Sequence, residues 1–278
     1  MTYSVFMSVY KKDTPDYLKL ALDSIYENQI RKPDEVVVVF DGPLTDGLYE
    51  VLNEFRADKE EVVKYYPQEV NRGLGEALRI GAEKCTGDYI LRMDSDDISV
   101  PERFEKQIRY IETHPEIDVL GSCIAEFDQS PVEEHKRIRK VYEKHADIVK
   151  MGKKRNPMNH MTVCIKKSAL MKSGSYETVL LLEDYYLWMK MATKGCRFAN
   201  LDEVLVNVRI GNGFNQRRSS KVQIQGWKKL QKLLLEGKII NRFEVIRNML
   251  YIYGFVYCPV SLKKFVYDKL LRKKSGLI

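Results

Sequence analysis

Three carboxylates stand within four positions at Asp94-Ser95-Asp96-Asp97, directly after a short, mostly apolar run over 89–93 that a Gly87-Asp88 turn opens. The run reads as a strand. In an open α/β sheet, ligands bind in the crevice at the carboxyl ends of the strands, so a strand stopping at these acids would aim them there. Closely spaced oxygen donors suit a hard divalent ion such as Mg²⁺ or Mn²⁺, which keeps some waters and completes its shell from substrate phosphates. A plainer reading stands beside it, because acids also form turns and cap helices. Ser99-Val100-Pro101-Glu102 is expected to open a helix, with Ser99 as N-cap, Pro101 in the first turn and Glu102 at the third position.

Two other acidic positions fall where an element begins or ends. Asp41 closes the β-branched run 35–40, followed by Gly42-Pro43. Glu183-Asp184 lies in the first turn of a helix expected to run to 192. Acids in a first turn complement the helix macrodipole, or a carboxylate there faces the crevice as a general base.

The elements that must position these residues alternate. Strands are expected over 3–9, 35–40, 62–66 and 89–93, with helices over 17–28, 48–55 and 76–85 between them. Thr14 and Pro15 mark the first helix start as N-cap and first-turn proline. Asn71-Arg72-Gly73-Leu74-Gly75 is a glycine-rich loop that opens the third helix. This alternation predicts an α/β fold with a mostly parallel sheet flanked by helices. Further on, the expected elements are a strand over 118–125, a charged loop and helix over 130–145, and a turn at 156–160. A strand over 161–165 and a short helical segment over 168–174 follow.

A chain of 278 residues with 44% hydrophobic and 31% charged residues is long enough for one large domain, alone or with an appendage. Its formal charge of +7 is concentrated at one end, since residues 226–278 carry twelve Lys or Arg against three acids. A near-neutral body with a basic tail points the tail toward something anionic, a membrane surface or nucleic acid. The tail reads as helices over 223–235, 242–256 and 261–274. In the last of these an apolar stripe of Leu262, Phe265, Val266 and Leu270 is set against Lys263, Lys264, Lys269, Arg272, Lys273 and Lys274. Such a helix lies in a membrane interface or packs its stripe on the body with the lysines solvated. Five scattered cysteines without a Cys-x-x-Cys pair argue against a disulfide scaffold or zinc site and for a reducing compartment. No basic segment or small-residue cleavage site precedes the first strand, and the longest apolar run, 249–260, is interrupted by Gly254 and short of a span. A cytoplasmic location, peripheral on the inner face of the membrane, is the expectation.

The chain resembles the inverting glycosyltransferases of family 2, the GT-A fold group that builds bacterial surface polysaccharides. Six stretches carry the resemblance, in order over about the first 210 residues: Ser8-Val9-Tyr10, Asp41-Gly42, the 71–75 loop, Gly87-Asp88-Tyr89-Ile90 leading into 94–97 with Pro101, His160, and Glu183-Asp184-Tyr185-x-Leu187-Trp188. It implies a GT-A catalytic domain over 1–212, with a nucleotide-sugar half over 1–97 and an acceptor half over 98–212, and a helical tail over 213–278. It implies a UDP-sugar donor whose uracil meets Asp41, whose nucleotide borders Ser8, Val9 and Tyr10, and whose ribose or uridine side meets Asp94 beside Ser95, with Asn71 among the donor contacts. Asp96 would bind Mn²⁺ or Mg²⁺ on the diphosphate, and Asp184 would deprotonate the acceptor hydroxyl.

The chain departs from the family at several points. One acid, Asp41, stands where the family often has two, and Arg79 stands where Asn is common, so Arg79 meets a phosphate or faces solvent. His160 is a third metal ligand, a diphosphate contact, or simply hydrogen-bonded in place. The Gln-x-x-Arg-Trp motif of processive members is absent, as Gln216-Arg217-Arg218 lacks the Trp, so one sugar per encounter is expected. The expected acceptor is a lipid-linked saccharide, met at the membrane through the tail. A sugar-phosphate nucleotidyltransferase is the alternative enzyme, but the place after the first strand holds Tyr10-Lys11-Lys12-Asp13 with no glycine for a triphosphate. Nucleic-acid binding by the tail is not expected, for it leaves the acids unexplained and the tail lacks a recognised motif.

Overall fold

The chain begins with β1 (Tyr3–Val9), α1 (Pro15–Ile25), β2 (Glu35–Phe40), α2 (Asp46–Arg56), β3 (Val63–Pro67), α3 (Leu74–Lys84) and β4 (Tyr89–Met93). The structure, a computed structural model, describes residues 1–128, 137–210 and 221–257. Val5, Met7 and Val9 of β1 and Val36, Val38 and Phe40 of β2 enter one core, while Phe6, Val37 and Val39 enter the other. Strands loaded on both faces require cover on both. Leu18, Leu22, Leu48 and Leu52 of α1 and α2 cover the first face, and Ala77, Leu78 and Ala82 of α3 cover the second. The approach of α3 is close: a Cβ at Gly81 would stand 2.0 Å from the Phe6 ring.

The second half supplies β5 (Ile98–Ser99), α4 (Arg103–Thr113), β6 (Val119–Phe127), β7 (Arg137–Arg139), α5 (His145–Gly152), β8 (Cys164–Lys166), α6 (Lys167–Lys172), α7 (Glu183–Thr193) and β9 (Phe198–Arg209). All strands join one sheet in the order β3-β2-β1-β4-β8-β6-β9-β5, with β7 on β6. The β1–β4 pairs and β6–β9 are parallel, whereas β8 runs antiparallel to both its neighbours. The acids at 94–97 therefore link β4, in the middle of the sheet, to β5 at its far edge, and the sheet curls to allow it. The α/β, mostly parallel GT-A type of architecture expected from the sequence is the one observed.

Three local expectations are corrected. Ser99 is not an N-cap: it pairs with Val206 as part of β5, and its N–H donates to Ser24 Oγ at 3.0 Å. Helix α4 starts four residues later, where Gln29 Oε1 accepts the Phe104 N–H at 3.2 Å and takes over the capping role. The strand expected over 161–165 is split into a 3-10 turn, His160–Thr162, and β8, because Thr162 Oγ1 donates back to Asn159 O at 2.8 Å. The helix expected within 130–145 is replaced, where the structure describes the segment, by β7 pairing with β6. Thr14 does occupy the position before α1, without a side-chain cap bond.

Beyond β9, α8 (Lys221–Glu236) and α9 (Arg242–Tyr257) form the described part of the tail. Leu230 and Leu234 of α8 pack with Leu182 and with Tyr185, Tyr186 and Met189 of α7, so these helices rest on the body. The segments 216–218 and 261–274 discussed above lie outside the described residues.

Candidate active site

Strand β4 ends in a charged turn, 94–97. Arg92, buried in β4, forms an ion pair with Asp94. Asp96 opens to solvent at the crevice mouth. The surrounding walls and the Asp94 charge nevertheless push its carboxyl up to about 6. Solvent at the mouth screens part of that shift. Asp97 is buried and accepts the Arg209 N–H at 2.9 Å, and burial together with Asp94 and Asp96 drives its carboxyl far up. The end of β9 thus holds the acidic turn in place. Ser95 Oγ donates to Asp13 Oδ2 at 2.9 Å, and the same oxygen accepts the Tyr10 N–H at 3.0 Å. Asp13 thereby joins the ends of β1 and β4, and burial, then Asp96 and Asp94, lift it to about 6 against those hydrogen bonds.

Ser8, Val9 and Tyr10 close β1 beside Val39 and Phe40 of β2, and Asp41 follows. Asp41 organises the glycine-rich loop: its Oδ1 accepts the N–H groups of Arg72 at 2.8 Å and Gly73 at 3.2 Å, and its carbonyl accepts Asn71 Nδ2 at 2.9 Å. Gly42 makes this possible, with φ +85 and no room for a Cβ, which would lie 2.6 Å from the Asn71 nitrogen. Arg79 lies one turn into α3 and is bidentate to Glu76, at 2.7 and 3.0 Å, and bonded to Glu83 at 2.5 Å. Two carboxylates of its own helix thus engage the Arg79 guanidinium.

A second acidic site stands at the start of α7. Asn156 Nδ2 donates to Asp184 Oδ2 at 2.5 Å, while Asp184 Oδ1 accepts the Tyr185 N–H at 2.7 Å. Glu183 is buried, and burial raises its carboxyl. Behind Asp184 lies an aromatic layer in which His160 Nε2 sits 3.0 Å from Tyr176 Oη and the His160 ring meets Trp188 edge-on. Burial holds His160 well below its ordinary pKa, so it is neutral. Tyr176 is buried as well, and burial pushes its hydroxyl well above the ordinary tyrosine range.

The donor chemistry at Asp96 fits a hard divalent ion: a carboxylate at a solvent-open crevice mouth, next to acids whose charge Arg92 only partly offsets. Among the described residues, no three His, Cys, Asp or Glu side chains converge on one point. His160 accordingly does not join Asp96 in such a set, because its Nε2 faces Tyr176. An ion there would complete its shell from substrate phosphates and water. Sequence reasoning missed Asp13, Arg92, Asn156 and Tyr176. Arg92 did carry a signal, a cation inside an otherwise apolar strand; the other three are brought in by long-range contacts that leave no local pattern.

Comparison with known proteins follows the same outline. The Glycosyl transferase family 2 profile matches residues 4–180. The amylovoran biosynthesis glycosyltransferase AmsE of Erwinia amylovora is 36% identical over 270 residues, 96% of this chain and 98% of that protein. A UDP-Gal:alpha-D-GlcNAc-diphosphoundecaprenol beta-1,3-galactosyltransferase of Escherichia coli is 34% identical over 271 residues, 98% of this chain and 97% of that protein. Among solved structures, residues 1–349 of TarS from S. aureus in complex with UDP-GlcNAc superpose with a TM-score of 0.70 at 18% identity, covering 99% of this chain and 78% of that one. The chain belongs to glycosyltransferase family 2.

Proposed function

We propose that this glycosyltransferase moves a hexose or N-acetylhexosamine from a UDP-sugar, with inversion, onto a lipid-linked saccharide in surface-polysaccharide synthesis. The observation that carries the reading is a pair of separate carboxylate sites, the acidic turn after β4 that Asp13 ties to the end of β1 and Asp184 held by Asn156 at the start of α7. Single displacement needs a site for the leaving diphosphate and a separate base for the incoming hydroxyl. The relatives named for amylovoran and for a UDP-Gal donor with a diphosphoundecaprenol acceptor support the donor and acceptor classes.

In this reading the donor nucleotide lies over the ends of β1 and β2. Ser8, Val9, Tyr10 and Asp41 border it there, with Asn71 and the loop amides that Asp41 holds. Asp94 and Ser95 meet the ribose side, and Asp96 would hold a divalent ion beside the diphosphate. That ion, when bound, neutralises charge developing on the leaving UDP. Asp184, oriented by the Asn156 amide, accepts the proton of the acceptor hydroxyl as the oxygen attacks the anomeric carbon. His160, Tyr176 and Trp188 pack against one another beneath the start of α7 and help fix its position.

Calorimetric titration of UDP with and without Mn²⁺, followed by product analysis with a lipid-diphosphate-linked N-acetylhexosamine as acceptor, tests the reading. Metal-dependent UDP binding and a product of inverted anomeric configuration are expected. Pyrophosphate release from a nucleoside triphosphate and a sugar phosphate, without glycosyl transfer, would overturn it in favour of nucleotidyl transfer.

A further inference from the structure

A cavity of about 470 Å³ opens between α8, α9 and the segment after α5, bounded by Lys154, Gln223, Trp227, Arg247, Tyr251 and Phe255. We propose that it binds the diphosphate and the first isoprenoid units of the lipid-linked acceptor, an assignment that rests on the transferase reading above. Four observations converge on it.

The first is position. The Trp227 ring meets Tyr185 edge-on with centroids 5.8 Å apart, and Tyr185 is the neighbour of Asp184. Tyr185 Oη also donates to Gly152 O at 2.8 Å, and Lys154 stands two residues before the Asn156 that bonds Asp184. The cavity is thus built on the same two segments that hold the proposed base.

The second is charge. Neither Lys154 nor Arg247 is paired with a carboxylate among the described residues, although Lys153 lies 3.9 Å from Glu244. The Arg247 guanidinium is steadied by donating to Asn248 Oδ1 at 3.0 and 3.3 Å. Asn248 in turn donates to Lys153 O at 2.7 Å and Gln231 Oε1 at 2.9 Å. A fixed cation beside a flexible one suits a diphosphate.

The third is unmet hydrogen bonding. Gln223, only 9% exposed, has an enclosed Oε1 without a partner, and Trp227 Nε1 is likewise enclosed and unpartnered. Buried polar atoms left unmatched are costly, and an occupant carrying both an acceptor and a hydroxyl would match them. A small rotation of these side chains into the cavity lets a phosphate oxygen take the indole N–H and a hydroxyl of the first sugar donate to the amide.

The fourth is the apolar exit. Tyr251 and Phe255, 73% and 47% exposed, carry the cavity wall along α9 toward solvent. Free phosphate has no use for that surface and a free sugar has little use for two cations, whereas a prenyl diphosphate uses both.

Farnesyl diphosphate is the probe, titrated against intrinsic tryptophan fluorescence, with farnesol, inorganic pyrophosphate and UDP in parallel. Farnesyl diphosphate is expected to bind at least tenfold more tightly than farnesol or pyrophosphate and not to be displaced by UDP. Arg247→Gln and Lys154→Gln should each weaken it roughly tenfold, as loss of a charge-assisted bond does, and Gln223→Leu should leave this sugar-free probe unaffected. UDP affinity should stay unchanged in all three variants, which also reports that they fold. Undiminished farnesyl diphosphate binding in Arg247→Gln, equal binding of pyrophosphate, or displacement by UDP would each overturn the assignment while leaving the transferase reading intact. Failure of UDP to bind the wild-type protein would instead remove the transferase reading, and this one with it.

Discussion

Asp184 is held by an amide on one oxygen and a backbone N–H on the other, so replacing it by Asn keeps the shape and removes the base. Asp184→Asn should lower transfer by about 10²–10⁴-fold with UDP affinity within about twofold, measured by turnover and calorimetry. Asp96→Asn should instead abolish the metal dependence of UDP binding. Asp13 offers a test by pH. Its carboxyl is raised to about 6, so between the unfolded value near 4 and pH 6 the folded protein holds a proton that the unfolded chain has released. Its contribution to stability is therefore present below about pH 4 and is lost as pH rises through about 6. Asn at this position accepts the Tyr10 and Ser95 bonds without the charge. Asp13→Asn should thus be more stable than the parent at pH 7, by on the order of 1–2 kcal/mol after solvent screening, and lose that advantage by pH 4.5 in denaturant melts. Arg79, bidentate to Glu76, should tolerate Ala with UDP affinity unchanged and about 0.5 kcal/mol of helix pairing lost.

At the scale of elements, the junction between β2 and α3 rests on one glycine. Gly42→Ala would place a Cβ 2.6 Å from the Asn71 nitrogen and hold Ala at φ +85, costing about 1–3 kcal/mol. Because Asp41 and the 71–73 loop are bonded to each other, the same change should weaken UDP binding, and a melt with a parallel titration reads both. This half of the site was legible in the sequence because short β-branched runs ending in Asp or Gly mark parallel strands and their crevice. The acceptor half was less so. Strand β9 went unread since Leu201, Asp202 and Glu203 interrupt its apolar pattern, where register shifts against β6 at 122–124 let the charged residues bulge outward. Ser99 looked like a cap because its neighbours are cap residues, yet a pairing with Val206, more than a hundred positions away, takes precedence. Tertiary partners decided both cases, and no local window contains them.

For the molecule as a whole, the distribution of apolar surface and charge gives the proposed lipid-linked acceptor a testable consequence, contact with a membrane surface. No helix among the described residues is long and apolar enough to cross a membrane. Helix α9 nonetheless presents Phe243, Ile246, Leu250 and Tyr257 at 82, 59, 67 and 61% exposure, and residues 226–278 hold nine more basic than acidic side chains. Apolar side chains that sink to the headgroup boundary contribute about 1.5–3 kcal/mol each when fully buried, and each nearby Lys or Arg adds about 1 kcal/mol against anionic lipid. Neither contribution alone gives firm attachment, and the two together are expected to. In flotation assays the protein should partition onto phosphatidylglycerol-containing vesicles, leave them as salt is raised, and bind pure phosphatidylcholine weakly. Phe243→Ser with Leu250→Ser should reduce partitioning by about tenfold or more while UDP binding is retained. Equal partitioning of this double variant would place membrane contact elsewhere than on α9, and indifference to lipid charge would remove the basic end from the interaction.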